Sequence, residues 1–370
     1  LNRHKGLKLA GKEVISLDIG QHSIQMVVGK PNTGSIDVKH AISLRTPKGC
    51  YEKGRITDME TLKTSIGTTL DSLKIRTKTA LCVVESNEII TREVLLPAAE
   101  EEQIEKMLAF EIQQYMPIEL SDYMVQSKVL EEVMENGVAK SRVLVTAVPK
   151  DLSRSYFELI KSLNLHPTVF DIESNALDKL ISSNFLVNGD SSIKDHAIAV
   201  LDIGYSHLNV IVFEKGHYKF NRFIGQGSQS IDQNLVSFMD VSFDEAEKMK
   251  SDIAHLNKEF ELPDEFIDPV DPQAQKMRVL NIVRNTVDSW VDDIDRIFKY
   301  YTTRGMGNTI EQIYLYGGSS QLKGLDAYLQ DAFGIPTSCI SSLTNVNISQ
   351  YTGEAALGSY INALGTMIRR

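Results

Sequence analysis

Ala197-Ile-Ala-Val-Leu-Asp-Ile-Gly-Tyr-Ser-His-Leu-Asn-Val-Ile-Val212 is the stretch from which the fold is read. An apolar run is followed by a tight Asp-Ile-Gly turn, and a second apolar run is interrupted by the polar residues Ser206 and Asn209. This pattern predicts a β-hairpin whose turn grips a phosphate. Gly204 has no Cβ, so backbone N–H groups can close on an anion, and Asp202 at the strand end is placed to hold a hydrated Mg²⁺. Val14 to Val28 repeats the pattern: an offset of 184 residues sets Asp18 on Asp202, Gly20 on Gly204 and Gln25 on Asn209. One Asp-x-Gly is an ordinary turn signal, but two in matching strand contexts point to a duplicated chain with two phosphate-facing hairpins.

With 370 residues the chain is long enough for two lobes. The net charge of -10 and the lack of a clustered basic stretch argue against nucleic-acid binding. No apolar run approaches the roughly 20 residues of a membrane span, and the first ten residues lack a convincing signal-peptide core, so a cytoplasmic protein is expected. Cys50, Cys82 and Cys339 are far apart and form no Cys-x-x-Cys, which suits buried thiols better than a disulfide or zinc framework. His22 and His207 fall in the two turns, where solvated side chains are the ordinary reading.

After the first hairpin, Ile36 to Leu44 adds a strand, Asp58 to Leu73 reads as a helix capped by Thr57 or Asp58, and Thr79 to Val84 is a strand. Short strands are read over 88–95, 123–130 and 141–148, and between the first two lies an amphipathic helix that Pro97 precedes and Met116-Pro117 ends after Tyr115, which suggests an inserted subdomain. A helix over 151–163 and a strand over 167–170 follow. Glu173 falls at the start of a connecting helix, where it either faces the cleft as a weak catalytic candidate or serves as a first-turn charge.

Beyond the second hairpin, Gly225-Gln226-Gly227 precedes a helix over 230–239, and a further helix over 244–256 carries Glu247 and Lys250 on one face, able to bond a ribose. The proline-bearing acidic segment 258–275 reads as a flexible loop, and 277–301 as the longest helix. Gly317-Gly318-Ser319 forms a strand-to-helix turn that lets a flat ligand or phosphate approach the backbone. A last strand over 336–339 and a terminal helix over 353–364 with small residues Ala355, Ala356 and Gly358 complete the chain.

Two Asp-x-Gly hairpins, a connecting helix and a late Gly-Gly turn together resemble the actin-like ATPase superfamily, in which two lobes close on ATP and Mg²⁺. Gly54-Arg-Ile-Thr-Asp, Leu95-Leu-Pro, Glu111-Ile-Gln-Gln-Tyr-Met-Pro-Ile, Asp171-Ile-Glu-Ser-Asn-Ala-Leu, Glu245-Ala-Glu-Lys-Met-Lys and Asp293-Ile-Asp-Arg-Ile-Phe-Lys-Tyr-Tyr narrow the match. They are similar, in order, to landmarks of the PilM family of type IV pilus assembly proteins, which are FtsA-like. The resemblance implies an α/β, two-lobed actin-like fold with a duplicated mixed sheet and an FtsA-like insertion in the first lobe. It divides the chain into 1–80 with 166–195 and 345–370 (1A), 81–165 (1C), 196–230 with 302–344 (2A) and 231–301 (2B).

Carried onto this sequence, the resemblance assigns nucleotide binding to Asp18, Gly20, Gln21, His22, Ser23 and Gln25 in the first hairpin. In the second lobe it assigns Asp202, Gly204, Tyr205, Ser206, His207 and Asn209, then Gly225 and Gly227. Glu247 and Lys250 are placed at ribose and adenine, and Gly317, Gly318 and Ser319 at adenosine. Mg²⁺ is expected on Asp18 and Asp202, partly through water. The family pattern has Lys at the position of Gln25, Thr near His207 and Gly at Ser319, so one phosphate-binding charge is missing and weak ATPase activity is implied.

The implied role is an ATP-binding adaptor at the cytoplasmic face of the inner membrane, holding the N-terminal tail of a PilN-type membrane protein with nucleotide-linked lobe closure. Pilus assembly ATPases and self-association are further expected contacts. A small-molecule kinase would need a carboxylate base beside a substrate pocket, and a filament-forming FtsA-like protein often carries an amphipathic membrane tail. Both stand as alternative readings on the same fold.

Overall fold

The computed structural model describes residues 9–116, 118–252, 255–257, 271–303 and 308–368. The first lobe opens with β1 (Val14–Ile19), β2 (Ser23–Asn32) and β3 (Ser35–Arg45), then a small ladder of β4 (Tyr51–Glu52) and β5 (Arg55–Ile56). Helix α1 (Met59–Ser72) follows; its cap is Asp58, which accepts from the Thr61 backbone N–H at 3.0 Å and the Thr61 hydroxyl at 2.7 Å. Leu62, Ile66 and Leu70 bury its apolar stripe under the sheet. β6 (Thr79–Val84) pairs parallel with β1, so Leu81 and Cys82 lie inside the first-lobe sheet.

The chain then leaves this sheet for β7 (Ile90–Pro97), α2 (Glu101–Tyr115), β8 (Tyr123–Glu135) and β9 (Val138–Pro149), a three-stranded sheet in the order β7-β9-β8. Ile104, Leu108, Ile112 and Met116 cover Val94, Leu96, Val143, Val145 and Ala147, giving this unit its own core. Helix α3 (Lys150–Ser162) returns to the first lobe, where Leu152, Tyr156, Leu159 and Ile160 pack with the β1–β2–β6 side chains. β10 (His166–Ile172) and α4 (Glu173–Ile181) follow. The insertion is tied to the body by Lys128 on Asp178 of α4.

The second lobe is built from β11 (Ala197–Ile203), β12 (Leu208–Glu214) and β13 (His217–Ile224), then α5 (Gln229–Met239), α6 (Phe243–Ser251), α7 (Pro272–Thr303), β14 (Gln312–Tyr316), α8 (Leu325–Phe333) and β15 (Thr337–Cys339). Lys219 of β13 reaches Glu131 of the insertion at 3.4 Å. β16 (Val346–Ile348), β17 (Tyr351–Thr352) and α9 (Ile361–Met367) return to the first lobe. Its sheet runs β10-β6-β1-β2-β3-β16, with β17 also on β3, and the second-lobe sheet runs β13-β12-β11-β14-β15. Both have an antiparallel hairpin beside parallel crossovers. Their central strands read as almost unbroken apolar runs because helices cover both faces.

α4 and α9 lie between the two sheets and share one core with Val27 and Leu81 on one side and Val200, Ile211 and Tyr314 on the other. Their close approach depends on Gly365, where a Cβ would stand 2.3 Å from the Ala176 carbonyl oxygen. The outer face of the second sheet packs on α5, α7 and α8, with Val283, Val287, Trp290 and Ile294 buried along the long helix.

The strands expected over 88–95, 123–130, 141–148 and 167–170 are observed with shifted or longer bounds, and three helices differ in extent. α7 begins at Pro272 and not at 277, because Asp271 accepts from the Gln273 backbone N–H at 2.7 Å and Asp-Pro serves as a helix start; the rest of the expected loop, 258–270, lies outside the described residues. α6 ends at Ser251, short of 256. The terminal helix begins at Ile361 after a single 3-10 turn, since Gly353 is left-handed and the Gly358 carbonyl accepts from the Gly317 N–H at 3.1 Å.

Candidate functional site

The two hairpins are superimposable in their bonding. Asp18 stands opposite Gln25 and Asp202 opposite Asn209 in the strand register. The Gly20 N–H donates to the Ser23 carbonyl at 3.0 Å and the Gly204 N–H to the His207 carbonyl at 3.0 Å. A Cβ would meet those carbonyl oxygens at 2.9 and 2.7 Å, so both turns are closed as tightly as glycine allows. The turns face one another across the cleft between the lobes.

A cavity of about 590 Å³ occupies that cleft and is lined by the turn residues of both hairpins, by Glu173, Glu247 and Lys250, and by Gly317, Gly318 and Ser319. Of the residues expected in the site, Asn209, Gly225 and Gly227 stand outside the cavity wall. Asn209 is buried behind it and donates to Glu85 at 3.2 Å. Gly227 accommodates the Tyr205 carbonyl, which a Cβ would meet at 2.4 Å, and Gly225 lies near the Phe223 ring. Gly317, at φ +89°, lets the chain pass Asp202, whose Oδ1 would lie 2.1 Å from a Cβ there. Ser319 shares a 2.7 Å hydroxyl contact with Ser228, tying this turn to the start of α5.

Carboxylates gather at one end. Burial and the neighbouring Asp202 push the Asp18 pKa up to about 7. Burial and Glu173 push Glu85 up to about 8. Burial raises Asp202, and Glu173 is held well above the usual carboxylate range by burial and then by Asp202 and Asp18. Glu173 is turned into the cleft, with 8% of its side chain exposed. The Asn362 amide donates to Asp202 Oδ2 at 3.2 Å. Such a cluster favours either shared protons or a multivalent cation.

At the cleft mouth, Arg45 donates to both Glu247 oxygens at 2.5 and 2.7 Å, and His22 lies 2.6 Å from the same carboxylate. Arg45 holds Glu247 down to about 2, while burial lowers His22. Lys250 is paired with buried Asp232 at 2.7 Å and stands over the Tyr205 ring. The charged ends of Glu247 and Lys250 are therefore engaged by protein groups. Neither His22 nor His207 is a freely solvated turn residue: their side chains are 32% and 18% exposed.

Glu85, Asn362, Tyr316 and Arg45 escaped sequence reading. Asn362 had a usable signal, as a polar residue within the apolar terminal segment Tyr360-Ile-Asn-Ala-Leu. Arg45 and Glu85 are single charges at strand ends, and no local spacing marks their long-range partners.

Two lobes, each a mixed sheet with an Asp-x-Gly hairpin facing a shared cleft, and two helices between the sheets define an actin-like ATPase fold. Solved structures agree in fold. A protein of the PilM-PilN type IV pilus biogenesis complex matches with a TM-score of 0.77 at 18% identity, covering 96% of this chain and 97% of that one. Ethanolamine utilization protein EutJ from Carboxydothermus hydrogenoformans gives 0.56 at 13% identity, over 98% and 91%. MreB5 of Spiroplasma citri bound to AMPPNP gives 0.54 at 14% identity, over 96% and 95%. The family model described as type IV pilus assembly protein PilM matches residues 16–370, and the chain belongs to that family.

Proposed function

We propose that this chain is an ATP-binding adaptor of the type IV pilus assembly platform, held at the cytoplasmic face of the inner membrane by the N-terminal tail of a PilN-type protein. The nucleotide reading is carried by the two equivalent Asp-x-Gly turns, whose tightly closed backbones face one cavity with carboxylates at its end. The MreB5 structure of the same fold is described as bound to AMPPNP. Asp18, Asp202 and Glu173 would hold Mg²⁺, partly through water, and the cation would offset the charge of the phosphates. The turn residues Gln21, His22, Ser23, Tyr205 and Ser206 and the Gly317-Gly318 turn would bind and orient the nucleotide between the lobes.

The partner reading rests on family membership and on the similar chain from a PilM-PilN complex. No helix among the described residues is long and apolar enough to cross a membrane, so attachment through a membrane-anchored partner supplies the link. The inserted subdomain, with its own core and with Leu95, Met124 and Val129 exposed, is the surface we assign to the tail. It also touches both lobes through Lys128 and Glu131, so lobe closure has a route to it.

A fluorescence-anisotropy titration with a labelled PilN-type N-terminal peptide tests this reading with Mg-ATP, with Mg-ADP and without nucleotide. Saturable binding that Val129→Glu weakens, with affinities differing between nucleotide states, is the expected result. Equal affinity in all three states would remove the coupling, and no binding in any of them would remove the adaptor function.

A further inference from the structure

His207 lies where the carboxylates converge. One donor atom each from Glu173, Asp202 and His207 fall within 4.8 Å of one another. His207 Nε2 stands 3.6 Å from Glu173 Oε2, and neither atom has a hydrogen-bond partner although both are buried. That separation is too long for a hydrogen bond. It suits two ligands of one ion, since donors about 2.1 Å from a shared metal stand roughly 3 to 4 Å apart.

The imidazole is already oriented for this role. Its Nδ1 lies 3.2 Å from the Ser206 hydroxyl, which can accept from an Nδ1 proton, and in that tautomer the Nε2 lone pair is free to bind a metal beside Glu173. Phe223 stacks on the ring at a centroid distance of 4.9 Å and 23° between planes, which fixes its plane. On the opposite side, the Asn362 amide holds Asp202.

We propose that Glu173, Asp202 and His207 form a site for one first-row transition-metal dication, bound through His207 Nε2 in preference to Mg²⁺ and without need of nucleotide. Magnesium takes oxygen ligands in a strict octahedron and keeps its water, whereas an imidazole nitrogen favours the later dications. Asp18 and Glu85 supply surrounding negative charge. The inference deepens the reading of the cleft given above: it takes from that reading only the presence of a cation at this end.

Mn²⁺ is the most demanding probe, because it binds nitrogen sites most weakly among the first-row dications, so a preference seen with it extends to the others. The full chain, free of nucleotide, is titrated with Mn²⁺ by electron paramagnetic resonance, alone and against Mg²⁺, and the bound ion is examined for nitrogen electron spin echo modulation. One Mn²⁺ with histidine nitrogen modulation, retained in a tenfold excess of Mg²⁺, is expected. His207→Gln should abolish the modulation and weaken Mn²⁺ at least tenfold, with Mg²⁺ affinity changed by less than about twofold.

No bound Mn²⁺, bound Mn²⁺ without nitrogen modulation, or a parallel loss of both metals in the variant would overturn the proposal. The modulation on the unsubstituted chain decides the matter even if the variant fails to fold. Calorimetry with ATP separates the two readings. Nitrogen-ligated Mn²⁺ without ATP binding would sink the nucleotide reading alone, and Mg-ATP binding with no nitrogen ligand would sink the metal assignment alone.

Discussion

The carboxylate end of the cleft sets a conflict between stability and binding. Asp18 rises to about 7 and Glu85 to about 8, both chiefly through burial, against ordinary carboxylate values near 4. Below pH about 4 these groups are protonated in both folded and unfolded chains, and they cost nothing. Between about 4 and 8 the folded chain holds more protons than the unfolded one, so stability falls as pH rises. Thermal unfolding in EDTA should therefore give a Tm that drops from pH 6 to pH 8.5, and a saturating divalent cation should flatten the drop. Glu173→Gln removes one member of the carboxylate cluster and should raise the metal-free Tm at pH 8 by about 1–2 °C, roughly what 1 kcal/mol gives in a chain of 370 residues. An unchanged pH profile in that variant would show that the cluster does not set the slope. Turnover depends on the charges around the same residues. Gln25, opposite Asp18, brings no positive charge, and Lys250 is committed to Asp232. ATP hydrolysis should be on the order of 10⁻³ per second or slower, the range of nucleotide hydrolases lacking a transition-state cation, as measured by phosphate release. Asp18 and Asp202 were legible in sequence because each sits beside a turn glycine in a repeated pattern; Glu85 was not, because its partner is 124 residues away, and Asn362 showed only its polarity in an apolar segment, its partner being 160 residues away.

At the level of elements, periodicity foretold what local chemistry controls. The apolar runs of β1 and β2, the alternation at the start of β3, the Asp58 cap of α1 and the stripe of α7 all emerged, and the 184-residue offset between hairpins reappears as identical strand register. What stayed hidden was set by contact between distant segments. The small residues expected to matter in the last helix were Ala355, Ala356 and Gly358, yet these precede α9. Gly365 is the residue that meets α4, and it falls beyond the helix end read from sequence. Gly365→Ala would put a methyl group 2.3 Å from the Ala176 carbonyl in the core shared by both lobes. The helices must separate to accept it, and overpacking of this kind costs about 1–3 kcal/mol. Urea unfolding should show a lower midpoint with an unchanged slope; a midpoint equal to that of the parent chain would mean that α4 and α9 yield without strain.

Across the whole molecule the lobes meet at two ends of one cleft, and the two ends differ in kind. Deep inside, α4 and α9 join the sheets through a continuous apolar core, the side about which the proposed lobe closure would hinge. At the mouth the joints are polar: Arg45 and His22 on Glu247, Lys48 on Asp244 at 2.7 Å, and Gln21 on Gln229 at 3.4 Å. If a nucleotide binds in the cavity as proposed, it would pass this mouth, and these contacts would form a latch between β3 and α6 that opens and recloses. Partly exposed pairs of this sort contribute little to global stability, about 0–1 kcal/mol, and they weaken with salt. Glu247→Ala should therefore leave the unfolding midpoint nearly unchanged while speeding both association and release of a fluorescent ATP analogue in stopped flow. Release from the parent chain should also speed up as salt rises from 0.05 to 0.5 M, over roughly a threefold fall in screening length. The same salt series on Glu247→Ala should be much flatter, because the principal ion pair is gone. If release from the parent and variant chains responds alike to salt, the mouth contacts do not gate the cleft, and lobe opening is governed by the apolar hinge between α4 and α9.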